Sequence, residues 1–319
     1  MARARLALSL LVGAAFFATV PGTLAATPAP TDGKDGALWQ QFAAKVGAIE
    51  AQTDGVLGVA VMDLKSGHQW SLRGHERFPQ ASTIKIAVLA ELLRQDEAGD
   101  GAHLSDRYVV DAADIVAGSD ILEGLTPGVT TLTNRDLATC MVAVSDNSAT
   151  NVLINRLGMA RINALLDKLG LNETRLKRKM LDLEAAKAGR ENVSTPLEMA
   201  ALLTDLWRAD GTVLKPEATK RFFDLLSTHK DSQIPSGLPA ELRIDNKPGA
   251  LEGVRNDAGI VFLPRHPYVI VVMGTYLRRE GDGEEAIRRI SRAAFDLFDR
   301  LDRASDLGRV ISPGDGSVR

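Results

Sequence analysis

The chain has 319 residues, enough for one large domain or two lobes and for a core that needs no disulfide or metal staple. Its 38 basic and 41 acidic residues leave a net charge of −3, which argues against a general nucleic-acid binder or a polybasic membrane-surface protein, and 45% hydrophobic content argues against wholesale disorder. The single cysteine, Cys140, can form no internal disulfide and no cysteine-built metal site.

At the N-terminus, Arg3 and Arg5 precede an apolar stretch from about Leu6 to Val20, and small residues around Thr23, Ala25 and Ala26 offer a cleavage site. Residues 1–25 therefore read as a secretory signal peptide; the apolar run is short for a membrane anchor. The expectation is export to the periplasm or the extracellular space, with no stable membrane anchor. Residues 26–36 form a leader. Leu38, Phe42, Val46 and Ile49 recur at helical spacing and predict a helix over 37–52. Val56 to Leu64 reads as a strand, Lys65-Ser66-Gly67 as a turn and His68 to Leu72 as its hairpin partner. From about 83 to 230 the pattern is largely helical. Leu242–Lys247, Ala258–Leu263 and Tyr268–Leu277 are β-rich runs, Glu284–Leu301 is an amphipathic helix, and residues 302–319 have no periodicity and predict a flexible tail.

Pairing the strands from both ends gives an α+β protein: an antiparallel five-stranded sheet flanked by helices in three layers, α-β-α. Residues 26–80 and 231–301 form this sheet lobe, and residues 81–230 an inserted all-helical lobe.

Three short segments carry chemistry. Gln80 to Gln95 is apolar nearly all round, which predicts a buried helix with Lys85 in its first turn. Burial disfavours a charged lysine, and Ser82 three residues earlier shares its face, so a nucleophile stands beside a base. The amide N–H groups of the helix N-terminus suit a developing oxyanion. Ser-x-x-Lys alone is a weak signal. A second copy, Ser227 to Lys230, lies at the polar end of a helix and reads as surface. The second segment is Ser145-Asp146-Asn147, between an apolar helix that starts at Thr133…Asp136 and another helix; alone it would read as an ordinary N-cap. The third is Lys247-Pro248-Gly249, after the strand LRIDN; alone it would read as a turn lysine.

Together, Ser-x-x-Lys, Ser-Asp-Asn and Lys-x-Gly in this order are the signature of serine β-lactamases and penicillin-binding proteins. The chain resembles the class A β-lactamase family from about residue 37 to 301. The resemblance implies that Ser82 is acylated, Lys85 is its base or proton relay, and Ser145 passes a proton to the leaving nitrogen. It implies that Asn147 holds the substrate amide and Lys85, and that Lys247 binds the substrate carboxylate and tunes Ser145. The backbone N–H groups of Ser82 and Ala250 would form the oxyanion hole, with Gly249 in the substrate site and Arg255 helping to hold the carboxylate. Asp146 would orient its loop. The implied partner is a small β-lactam or related acyl compound; no cofactor, metal or nucleic acid is implied, and a monomer is expected.

The departures from the family are specific. Class A enzymes carry a loop glutamate that activates the deacylating water, and here that position aligns with Met180. Asp182 and Glu184, two and four residues on, are the candidate replacements. The loop's closing aspartate aligns with Asn192, which predicts a weakened ion pair with Arg178. Pro248 stands where a threonine or serine is typical, and Ala81 precedes the nucleophile, so the disulfide found in many class A enzymes is missing. The expectation is acylation with slow deacylation. A penicillin-binding D-Ala-D-Ala peptidase or esterase, and a non-catalytic binding module on the same fold, remain open alternatives.

Other chemistries lack their patterns. The five histidines form no His-Glu-x-x-His, there is no Gly-x-Ser-x-Gly elbow and no phosphate loop, and Cys140 in an apolar helix reads as packing.

Overall fold

In the computed structural model, residues 33–310 are described. The expected signal peptide and the end of the tail lie outside them. The chain enters through α1 (Gly33–Glu50), with Trp39, Phe42, Val46 and Ile49 on its buried face. It continues through β1 (Val56–Asp63), β2 (Gln69–Leu72), a two-residue β3 (Phe78–Pro79), a 3₁₀ turn (Ala81–Ile84) and α2 (Lys85–Ala98). The middle of the chain holds β4 (Arg107–Val109), β5 (Thr131–Thr133), α3 (Asn134–Ala143), α4 (Asn147–Leu157) and α5 (Met159–Lys168). Next come α6 (Leu183–Lys187), β6 (Val193–Ser194), α7 (Pro196–Arg208) and α8 (Pro216–Leu226). The strands β7 (Ile244–Leu251), β8 (Val254–Val261) and β9 (Tyr268–Thr275) precede α9 (Glu280–Arg303).

The five long strands make one antiparallel sheet in the order β2-β1-β9-β8-β7, as the pairing of the two chain ends predicts. β1 runs against β9 from Val56↔Thr275 to Asp63↔Tyr268, and β7 against β8 from Ile244↔Val261 to Leu251↔Val254. Apolar residues of α1 and α9 cover one face of the sheet together with Leu57, Val59, Val61, Ile270 and Val272. Because side chains alternate along a strand, Ala60, Ala258, Ile260, Val269, Val271 and Met273 join the other core, built around α2.

Three boundaries differ from the sequence expectation. β7 continues to Leu251, so Lys247-Pro248-Gly249 lies inside a strand and not at its end. An edge strand tolerates Pro248, which offers no N–H to a ladder. Helix α7, from within residues 81–230, packs on β1 and β9, so the division into a sheet lobe and an all-helical insertion is incomplete. Its Met199, Leu202, Leu203 and Leu206 supply the apolar cover that the sheet's second face requires. The tail expected from residue 302 is structured at its start: Asp302 accepts from the His266 backbone N–H (2.8 Å), and Ala304 bridges Val310.

Candidate active site

Ser82 lies in the 3₁₀ turn, and Lys85 is the first residue of α2. In a 3₁₀ geometry, residues three apart eclipse one another, which aligns the two side chains. Ile86 to Leu93 are all buried, so the helix cannot rotate Lys85 to water, and its side chain is only 1% exposed. Its Nζ donates to the Ser145 carbonyl (2.6 Å), Ser145 Oγ (2.9 Å) and Asn147 Oδ1 (3.1 Å). Burial, reinforced by the charge of Lys247 and opposed by Asp146, holds the ammonium well below the ordinary lysine range.

Ser145 closes the link between α3 and α4. Its φ of +59° is a left-handed conformation that a residue with a Cβ adopts at a cost of about 1 kcal/mol or more. Asp146 holds it there. Its buried carboxylate caps α4 by accepting from Ala149 N (2.8 Å) and binds the N–H groups of Ile121 (3.1 Å) and Leu122 (3.0 Å). The capping box expected at Thr133 and Asp136 opens α3. The Ser145 hydroxyl thus becomes a junction: it donates to Ser82 Oγ (2.9 Å) and accepts from Lys85 (2.9 Å) and Lys247 (3.1 Å). Asn147 adds a donor bond from Nδ2 to the Ala117 carbonyl (3.3 Å).

Lys247, also 1% exposed, reaches this junction from β7 and donates to the Pro248 carbonyl (3.0 Å). Burial lowers it to about 7, against the pull of Asp257 and with the added repulsion of Lys230. Lys230, from the second Ser-x-x-Lys, is half-buried and bound to the Leu226 carbonyl (2.7 Å), not fully exposed as its polar sequence suggested, and burial lowers it to about 8.

Ser82, Ser145, Asn147, Lys247, Gly249, Ala250 and Arg255 line one cavity of about 360 Å³. A larger groove of about 770 Å³ opens beside α3 and α8, without any member of the three motifs. Gly249 has no room for a side chain: a Cβ would stand 2.9 Å from the Gln80 carbonyl and 3.0 Å from Ser82 N. Arg255 lines the cavity, but its guanidinium bonds Glu280, Glu284 (3.0 Å) and the carbonyls of Leu251 (3.0 Å) and Val254 (2.9 Å). Two carboxylates therefore already balance its charge.

The structure does not bring Asp182 or Glu184 to this cavity. Asp182 caps α6 by accepting from Ala185 N (2.9 Å), and Glu184 pairs with Lys187 in solvent (3.1 Å). Met180 is buried, with its N–H and carbonyl both clasped by the Asn151 side chain of α4 (2.8 and 3.1 Å). The ion pair expected to weaken at Asn192 is made by its neighbour: Glu191 binds Arg178 (2.7 Å). Asn192 instead accepts from the N–H groups of Lys177 (2.7 Å) and Arg178 (3.0 Å) and donates to the Arg178 carbonyl (3.1 Å). Asn151, Glu191 and Glu284 were not singled out in the sequence; only Glu191, adjacent to Asn192, carried a local signal.

Among the described residues no cluster of His, Cys, Asp or Glu could hold a metal ion, and no helix is long and apolar enough to cross a membrane. Cys140 is half-buried against the core.

The sequence profile of the β-lactamase enzyme family matches residues 41–298. β-Lactamase OXY-2 of Klebsiella oxytoca is 31% identical, over 79% of this chain and 88% of its own length. An ancestral class A β-lactamase superposes with a TM-score of 0.75 at 30% identity, covering 81% of this chain and all of the other. PBP-A superposes with a TM-score of 0.74 at 27% identity, covering 83% and 97%, and a mutant of it has been captured as an acyl-enzyme complex with penicillin G.

Proposed function

The chain belongs to the β-lactamase enzyme family, as a class A serine hydrolase, and from that premise we propose that β-lactams acylate Ser82 readily and leave it slowly. The observation that carries the acylation half is the Ser145 junction, where one hydroxyl touches Ser82, Lys85 and Lys247 at 2.9, 2.9 and 3.1 Å. Burial disfavours the charged form of Lys85, and a neutral amine can take a proton. Rotation of the Ser82 and Ser145 hydroxyls sends the Ser82 proton through Ser145 to Lys85. Ser82 Oγ then bonds to the β-lactam carbonyl carbon, and the backbone N–H groups of Ser82 and Ala250 receive the oxyanion. Collapse breaks the C–N bond, and Ser145 passes a proton to the departing nitrogen. Lys247 binds the substrate carboxylate and Asn147 the side-chain amide. Arg255, balanced by Glu280 and Glu284, contributes less to the carboxylate than the resemblance implied.

The deacylation half rests on what the segment 178–192 presents. The Met180 backbone is clasped by Asn151 and its side chain packs in the apolar core, and the two nearby acids face solvent. General-base assistance is worth about 10²–10⁴-fold, and the acyl-enzyme forgoes it. The same geometry, together with the similarity to PBP-A, supports a second reading as a D-Ala-D-Ala peptidase. Release of D-alanine from a D-Ala-D-Ala peptide, at a rate above that of β-lactam turnover, selects the peptidase; β-lactam turnover without peptide cleavage selects the lactamase. The apolar N-terminus supports export to the periplasm or beyond, which the N-terminal sequence of the mature protein tests. A monomer is expected on sizing.

A further inference from the structure

We propose that Asn256 is a positioning residue that sets the gap between the two halves of the oxyanion hole. The inference rests on the acylation of Ser82 proposed above. One half of the hole is the Ser82 amide, on the 3₁₀ turn; the other is the Ala250 amide, on β7. These two segments belong to distant parts of the chain and nothing covalent fixes their spacing.

Asn256 stands on β8 directly opposite Gly249, one register position from Ala250↔Arg255. It is 1% exposed. Its Nδ2 donates to the carbonyls of Pro79 (2.8 Å) and Gln80 (3.0 Å), which lead into the turn that presents Ser82. Its Oδ1 accepts from Gly274 N on β9 (3.1 Å), so the amide group is committed at both ends to backbone. One side chain thus joins the nucleophile turn to two strands of the sheet.

The turn needs such an anchor. Ala81, between Gln80 and Ser82, has a φ of +49°, which a residue with a Cβ keeps only when its surroundings impose it. On the opposite side, Gln80 is bound to the segment before α7, through its N–H to the Asn192 carbonyl (2.8 Å) and its Nε2 to the Val193 carbonyl (2.6 Å). Asn256 opposes that attachment. Without it, the hydrogen bonds that reach Gln80 from other segments come from the 192–193 side alone, and the Ser82 amide retreats from Ala250. The contact of Gly249 with the turn shows how little slack the closed arrangement has.

Oxyanion donors act on the tetrahedral state, so a displaced donor slows the chemical step and leaves non-covalent binding intact. Asn256→Asp keeps the shape and the acceptor but loses both donors and sets an oxygen against two carbonyls. Asn256→Ser retains one short donor. For the full-length protein and a chromogenic cephalosporin, stopped-flow absorbance separates the dissociation constant from the acylation rate constant. Asn256→Asp is expected to lower the rate constant about 10–100-fold, with the dissociation constant changed less than about twofold and Asn256→Ser in between. A boronic acid that forms a tetrahedral adduct on Ser82 is expected to lose affinity by the same factor as the rate constant. An unchanged rate constant, or a loss of acylation that the boronic acid does not share, would overturn the inference. If Asn256→Asp fails to fold, the same comparison on Asn256→Ser decides. Absence of acylation in the unsubstituted protein would overturn the functional reading, and the inference with it.

Discussion

The site has two sides built in opposite ways. On the acylation side, packing holds two lysines away from water, where they would not otherwise stay. Lys85 is trapped by a helix buried on all faces, and Lys247 by a strand laid against the nucleophile turn. On the side expected to serve deacylation, the buried residue is Met180, and the nearby acids Asp182 and Glu184 are left in water with local partners. The comparison shows that burial is what shifts Lys85 and Lys247 away from the ordinary lysine range and so fits them to the chemistry. A carboxylate two residues from the expected place, at the cap of a five-residue helix, has no such constraint.

Removing the nucleophile breaks the comparison most completely. Ser82→Ala is expected to abolish the covalent β-lactam adduct, measured as intact mass; an adduct that persists would place the nucleophile elsewhere. Met180→Glu sharpens it from the other side. It sets a carboxylate on a backbone position that the Asn151 side chain holds and is expected to speed deacylation by roughly 10–100-fold, part of what a general base supplies, at some cost in folding stability because the Met180 side chain packs in an apolar cluster. Unchanged deacylation in a folded variant would show that the position does not face the acyl group.

The third prediction concerns pH. Burial lowers Lys247 from the ordinary lysine range to about 7, so its charge is lost as pH rises through 7. The apparent KM for a carboxylate-bearing substrate is expected to rise above that pH. The same shift has a sign in stability. Between about 7 and 10 the unfolded chain still holds the proton that the folded chain has released, so this lysine's contribution becomes more favourable as pH rises through that window. Chemical denaturation of the protein and of Lys247→Met across the window tests the sign: the variant is expected to lack this gain. The smallest expected effect is that of Glu191→Ala. Loss of its ion pair with the buried Arg178 is expected to cost about 1 kcal/mol, or about 2–4 °C in Tm.

Much of this was legible in the residues. Lys85 falls in the largely apolar run Ile84–Leu93 with Ser82 three residues before it, and β1 and β9 run apolar in clear blocks, so local pattern sufficed for these elements. The order of the three motifs supplied what no one of them could. What stayed hidden was the set of contacts made across distance: Asp146 binding the 121–122 turn, Asn151 clasping Met180, and Arg255 neutralised by α9. Each joins segments far apart in the chain, through residue types that commonly serve as caps or surface charges. The extent of β7 was misplaced for a related reason. Pro248 reads as a stop, and only the position of β7 at the sheet edge makes it acceptable within a strand.

The most direct test of the central claim is a time course of intact mass after mixing the protein with a slight excess of a penicillin. The account predicts rapid, near-stoichiometric addition of one penicillin mass to Ser82, followed by slow decay of the adduct. Hydrolysis of the penicillin at about 1 s⁻¹ or faster, without accumulation of the adduct, would contradict it.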